Sequence, residues 1–206
     1  QANFGKNGVY TQPMVVQDAF LTYAFMPEFK LDAGLMLVPL SHHTIEGATS
    51  LNALDYHSDM IRFPAGNAFR DIGVQFRGLL ANDFVHYRLG VFSGVRTPPP
   101  AAGLPPPSTT SDVNNMGVPR VTGHLRLNLL GSEPDFFLKG IYFAEQPIIS
   151  LGVGADFQPN STLRASGRRR NYFAGSFDFF VDYPFTADDE LIVKGNLFYW
   201  AVGSSR

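Results

Sequence analysis

The sequence predicts an all-β chain whose strands run up and down, antiparallel, and close into a transmembrane β-barrel. Three observations carry this. Apolar and polar residues alternate with period two in segment after segment. Tight and long connections separate those segments in turn. Charged residues make up only 17 % of the chain, below the roughly 25 % of an ordinary soluble domain, yet one parity of the alternating segments still carries full charges.

Successive side chains of a strand point to opposite faces, so an alternating segment is apolar on one side and polar on the other. Residues 16–26 set Ala19, Leu21, Tyr23 and Phe25 against Asp18, Phe20 and Thr22. Residues 30–38 set Leu31, Ala33, Leu35 and Leu37 against Asp32, Gly34 and Met36. Residues 70–80 set Ile72, Val74, Phe76 and Leu80 against Asp71, Gly73, Gln75 and Arg77. In 84–94, Val85, Tyr87, Leu89 and Val91 oppose His86, Arg88, Gly90 and Phe92. In 119–130, Val121, Leu125, Leu127 and Leu129 oppose Arg120, Thr122, His124, Arg126 and Asn128. A helix would mix these sets around its circumference. Residues 136–144 also look extended, although Phe136, Phe137, Leu138, Ile141, Tyr142 and Phe143 blur the faces. Residues 148–158, 172–183 and 190–201 repeat the alternation, with Asp156, Asp178, Asp182 and Lys194 on the polar parity.

The connections Pro27–Phe29, Ala81–Asp83 and Gly131–Asp135 are tight; 40–68 and 95–117 are long. That predicts short turns at one rim and long loops at the other. Around 145–171 the rule frays: a short link stands where a loop is expected, and 159–171 is long where a turn is expected.

The bilayer forbids open edges and unsatisfied backbone groups, so spanning strands must close on one another. Apolar side chains then face lipid and polar ones a wet lumen. A dry sandwich core would not take unpaired arginines and aspartates. Tyr23, Phe25, Tyr183, Phe185, Tyr199 and Trp200 lie near strand ends, where interfacial girdles favour aromatics. The absence of Cys excludes a disulfide scaffold and any Cys-based metal site. The net charge of −2 does not suit a nucleic-acid-binding domain.

Several segments resemble the bacterial phosphate-selective porin family of the O and P type. Arg70-Asp-Ile-Gly-Val-Gln-Phe-Arg-Gly78, followed by Tyr87-Arg-Leu-Gly-Val-Phe-Ser-Gly94, is similar to its paired strands. Ala33-Gly-Leu-Met-Leu-Val-Pro-Leu-Ser41 is similar to its earlier Gly-to-Pro strand. Leu151–Gln158 and Asp178–Pro184 look like later strands, and Ser93 stands where the family usually has Asn. The resemblance implies a homotrimeric diffusion channel of the bacterial outer membrane, of about sixteen strands. It also implies contact with outer-membrane lipid and lipopolysaccharide, no cofactor and no enzymatic activity. Nine or ten strands are expected here, and the ending Trp200-Ala-Val-Gly-Ser-Ser-Arg206 lacks a terminal aromatic. Residues 1–206 are therefore expected to form a single barrel domain that is incomplete at one or both ends.

A channel needs a charge-lined constriction rather than a catalytic group. The inward parity offers Arg77, His86, Arg88, Arg120, His124, Arg126, Asp178 and Lys194 as pore-lining residues. Arginines on sequence-adjacent strands would form a wall suited to carboxylate or phosphate. The favoured expectation is that Asp71, Asp156 and Asp178 pair with them, leaving a weakly selective lumen. The 40–68 loop carries His42, His43, Glu46, Asp55, His57, Asp59 and Arg62, which would narrow the pore if the loop folds inward. His42 and His43 have no metal-site spacing around them. Two further readings stay open: a soluble β-sandwich serving as a binding or structural module, and an outer-membrane barrel enzyme.

Overall fold

The computed structural model describes residues 3–4, 10–11, 16, 18–47, 70–94, 117–143, 145–163, 169–186 and 189–202. Two short strands, β1 (Asn3–Phe4) and β2 (Tyr10–Thr11), pair with each other. The rest is one sheet of eight antiparallel strands: β3 (Ala19–Met26), β4 (Phe29–Leu37), β5 (Arg70–Leu80), β6 (Val85–Phe92), β7 (Arg120–Leu130), β8 (Ile148–Leu163), β9 (Arg169–Pro184) and β10 (Glu190–Val202). Each strand pairs with its sequence neighbours, so the topology is a plain up-and-down meander with β3 and β10 at its edges. Among the described residues there is no helix.

The two faces of the sheet are chemically inverted relative to a soluble protein. Leu21, Ile72, Leu89, Val121, Leu125, Val153, Leu197 and Tyr199 are exposed. Asp32, Gln75, Arg77, Arg88, Arg120, Arg126, Asp156 and Asp178 are buried on the other face. The period-two readings of β5 to β10 therefore hold, with the polar parity inward; edge strand β3 is exposed on both parities, with only Phe20 partly covered.

Two connections fill the concave side. One is residues 38–47, which leave β4; the other is 131–143, which leave β7. Leu37, Ile45 and Leu138 form a buried cluster against which Phe198 and Trp200 of β10 pack. Met36, Val38 and Phe92 form a second, covered by Phe20 of β3 and by Phe136. Residues from both ends of the sheet thus meet the same inserted segments, so the sheet curves around them. The segments join through a parallel bridge at Glu46 and Leu138, with Gly47 N donating to Leu138 O at 3.0 Å and Leu138 N to Ile45 O at 3.1 Å.

Five expectations are corrected. The segment expected as a strand at 136–144 is not one over its described residues 136–143: a run of adjacent aromatics fits an interior packing segment, and Phe136 and Leu138 use it so. The expected tight turn Gly131–Asp135 is the start of this longer connection. The segment 159–171 is not simply a loop: residues 159–163 continue β8 and residues 169–171 begin β9, through a register shift between Gln158 and Thr162 that absorbs Pro159 and Asn160. With these changes the up-and-down order has no conflict. Trp200 is a fourth correction, since it shares the inward parity of Lys194 and Asn196 and stacks on Phe198 at 5.3 Å. Leu37, expected on the apolar outer parity, is 1 % exposed, because the chain turns inward there.

Small residues make room for the 38–47 insertion. A Cβ on Gly154 would overlap the Leu40 carbonyl and the Ser176 hydroxyl, which itself donates to that carbonyl. Gly154→Val is expected to cost about 1–3 kcal/mol through overpacking, read as a lowered urea midpoint.

Candidate functional site

The inner face is a lattice of ion pairs. Arg77 Nε donates to Asp32 at 2.8 Å, and Gln75 Nε2 donates to the same carboxylate at 2.9 Å. Arg120 Nε lies 2.9 Å from both Asp156 oxygens, its Nη2 lies 2.7 Å from one, and Asp71 lies 3.8 Å from Nη1. His124 Nε2 contacts Asp178 at 2.9 Å, and Lys194 pairs with Glu46. Arg70 forks onto Asp18 near the other edge. The expected pairing of inward aspartates with basic residues is therefore present for Asp71, Asp156 and Asp178.

The register brings the basic side chains into one patch. Arg77 lies opposite Arg88, Arg88 opposite His124, and His86 opposite Arg126. Arg88 is the arginine of this patch with no carboxylate pair among the described residues: its Nη2 donates to the Asp135 carbonyl at 3.0 Å. Its Nε and Nη1 have no hydrogen-bond partner among the described residues. His86 is buried beside it.

Of the loop candidates, His42, His43 and Glu46 lie inside the curve of the sheet, as an inward fold requires. Asp55, His57, Asp59 and Arg62 lie outside the described residues. His42 stacks on Phe180 at 4.8 Å, its Nε2 lies 3.3 Å from Glu133, and its backbone N–H donates to Asp178 at 3.2 Å. His43 Nδ1 lies 3.5 Å from Glu46.

Sequence reasoning missed Glu133, the hub of this region. It is fully buried, pairs with Arg126, and accepts from Tyr142 at 2.8 Å and from Ser150 at 3.1 Å. Its place in an apparent turn hid it, and only an acidic residue between glycine and proline near an arginine-bearing strand hinted at it. Burial raises its pKa, but Arg126 and the donors around it prevail, so the carboxyl titrates below its usual range.

His42 titrates below the ordinary imidazole value, first because burial disfavours the cation and then because Arg126 faces it; Glu133 and Glu46 oppose this. Below about pH 6.5 the unfolded chain takes up a proton that folded His42 refuses. Stability from this group is lost as pH falls from there through its folded pKa. Glu133 acts in the same direction at lower pH, since its stabilisation disappears only as the carboxylate is protonated. The urea midpoint is expected to fall between pH 7.5 and 5.5, and His42→Gln should flatten part of that slope.

Comparison with protein-family models, with curated proteins and with solved structures finds no match to this chain.

Proposed function

We propose that this chain belongs to the class of transmembrane β-barrel channels, with the apolar outer face against lipid and the ion-pair lattice around the solute path. More particularly, we read it as an outer-membrane porin similar to the phosphate-selective O and P type, passing small hydrophilic solutes and ions down their gradients. The observation that carries this is the inversion of faces. Leu21, Leu89, Leu125 and Leu197 point out, whereas Arg77, Arg88, Arg120 and Arg126 point in. Exposed apolar surface on this scale needs a partner phase, and a hydrocarbon layer accepts it from every strand at once.

Other features support the same reading. Tyr23, Phe25, Phe29 and Phe76 form a chain of ring contacts beside the β3–β4 turn, and Tyr183 contacts Phe185 beside the β9–β10 turn. Such positions suit an interfacial girdle. In this reading the barrel is closed by strands beyond β3 and β10, toward the sixteen of the family, and the channel is a trimer in the bacterial outer membrane. Selectivity is weak, because the inward carboxylates Asp32, Asp71, Asp156, Asp178, Asp182, Glu46 and Glu133 offset the buried arginines. Any preference for anions or phosphate is local to Arg88 and its neighbours. The soluble sandwich alternative requires those apolar rows to meet a second protein layer, and among the described residues they are exposed.

Reconstitution into a planar lipid bilayer tests the reading. Stepwise currents and a requirement for detergent in solution are expected. A chain that stays soluble without detergent and gives no steps would overturn it.

A further inference from the structure

Residues 131–143 lie on the concave side of the sheet without joining its ladder, and their first half sits on three arginines at once. Glu133 pairs with Arg126. The Asp135 carbonyl accepts from Arg88 at 3.0 Å. The Phe136 ring lies under two guanidinium groups, with Arg77 at 5.2 Å and Arg88 at 5.5 Å from its centroid. On the β3 side Phe20 stacks against the same ring at 4.2 Å.

This occupation is incomplete. Arg88 and Arg126 are 1 % and 0 % exposed, yet Nε and Nη1 of each have no hydrogen-bond partner among the described residues. An arginine fork in low dielectric is best met by a planar carboxylate that accepts two parallel donors. A guanidinium face is best met by an aromatic ring. The segment supplies one carboxylate, one carbonyl and one ring, and leaves half of each fork unused.

We infer that residues 132–138 are a tethered stopper seated in a binding site for organic anions that carry a carboxylate and an aromatic ring, and that such a solute competes the stopper out of the arginine patch. The inference rests on the channel reading for its consequence, the opening of a solute path. It does not rest on it for the displacement itself. Release breaks no rung of the eight-stranded ladder. It breaks the backbone bridge to residues 45–47, the Ser132 Oγ contact to Asp83 at 3.5 Å and the hydrogen bond that the Tyr142 N–H donates to Asp182 at 2.9 Å, besides the side-chain pairings already described.

Two readouts separate the parts. Trp200 is the chain's single tryptophan and packs against the cluster that contains Leu138. In the refolded full chain, phenylacetate is expected to raise acrylamide quenching of Trp200 saturably, while acetate at equal ionic strength leaves it unchanged. Phe136→Ala should raise quenching without any added anion, and in a planar bilayer it should raise the unit conductance severalfold. If Phe136→Ala does not refold, Phe136→Leu keeps apolar volume, loses the ring face, and should move both readouts in the same direction. Equal responses to phenylacetate and acetate, or a ring-less variant with wild-type quenching and conductance, would overturn the stopper and its ligand class. Selective quenching with no current from wild type or variant would sustain the displaceable segment and sink the channel reading instead.

Discussion

On the membrane reading proposed above, Leu125→Arg is expected to destabilise the folded chain by about 2–4 kcal/mol in phospholipid vesicles, the cost of an arginine near the middle of a strand that faces lipid. Leu125 sits in the interior of β7, points outward, and is 45 % exposed. Its neighbours His124 and Arg126 point inward and are buried, so the new charge cannot swing to the polar side without reversing the strand's parity. A residue of that exposure on a water-facing sheet would tolerate arginine within about 0.5 kcal/mol. The two media therefore predict different outcomes for one substitution. Glu28→Arg, at the exposed β3–β4 turn, is the control; near an interface its cost should be about 0–1 kcal/mol. Equilibrium unfolding of both variants, compared with the parent, measures the difference. Equal, small effects would mean that the outer face meets water.

The alternation that predicts this was legible because a strand's geometry leaves no choice: once Leu125 is out, Arg126 is in. The same rule placed Asp32, Gln75, Arg77, Arg88, Arg120, Asp156, Asp178 and Asp182 on one face from sequence alone, and each is buried there. It failed where no periodic constraint acts. Phe136 and Phe137 are apolar in both parities, so local pattern could not tell a spanning strand from a segment folded against arginines. Pro159 and Asn160 look like turn residues, yet the irregular register between Gln158 and Thr162 accommodates them, with Asn160 at φ 53°. Gly152 and Gly154 fall on the polar parity of β8 yet carry no polar side chain. Their reason is steric: a Cβ on Gly152 would strike the Asp178 carboxylate, and one on Gly154 the Leu40 carbonyl. Both clashes are long-range and invisible in a linear pattern. Glu133 was missed for a similar reason, since its partners Arg126, His42, Tyr142 and Ser150 come together only after two separate connections fold inward.

Asp156→Ala is expected to cost about 3–5 kcal/mol, because it strands a buried guanidinium. Arg120 is 2 % exposed and Asp156 0 %. The other nearby carboxylate, Asp71, is 3.8 Å away and already accepts from Ser93 Oγ at 2.6 Å, from Gly94 N at 2.8 Å and from Ile72 N at 2.8 Å. It cannot turn to Arg120 without giving up those donors. The neighbours are mostly apolar: Phe92 lies across the ladder from Arg120, Ala174 across from Asp156, and Leu40 and Tyr172 cluster with Ala174. Removing both charges together is a different matter. Arg120→Leu combined with Asp156→Ala eliminates the desolvated ion as well as its partner, and apolar replacement of a buried pair is often neutral. The double variant should therefore recover most of the loss, giving a coupling energy well above the roughly 0.5 kcal/mol scatter of independent sites. Urea unfolding of the two single variants and the double variant in micelles measures it. A single-variant loss near the surface-pair value of about 1 kcal/mol or less, with no recovery in the double variant, would mean that water reaches this pair and that the lattice between β7 and β8 shapes the path without holding the sheet together.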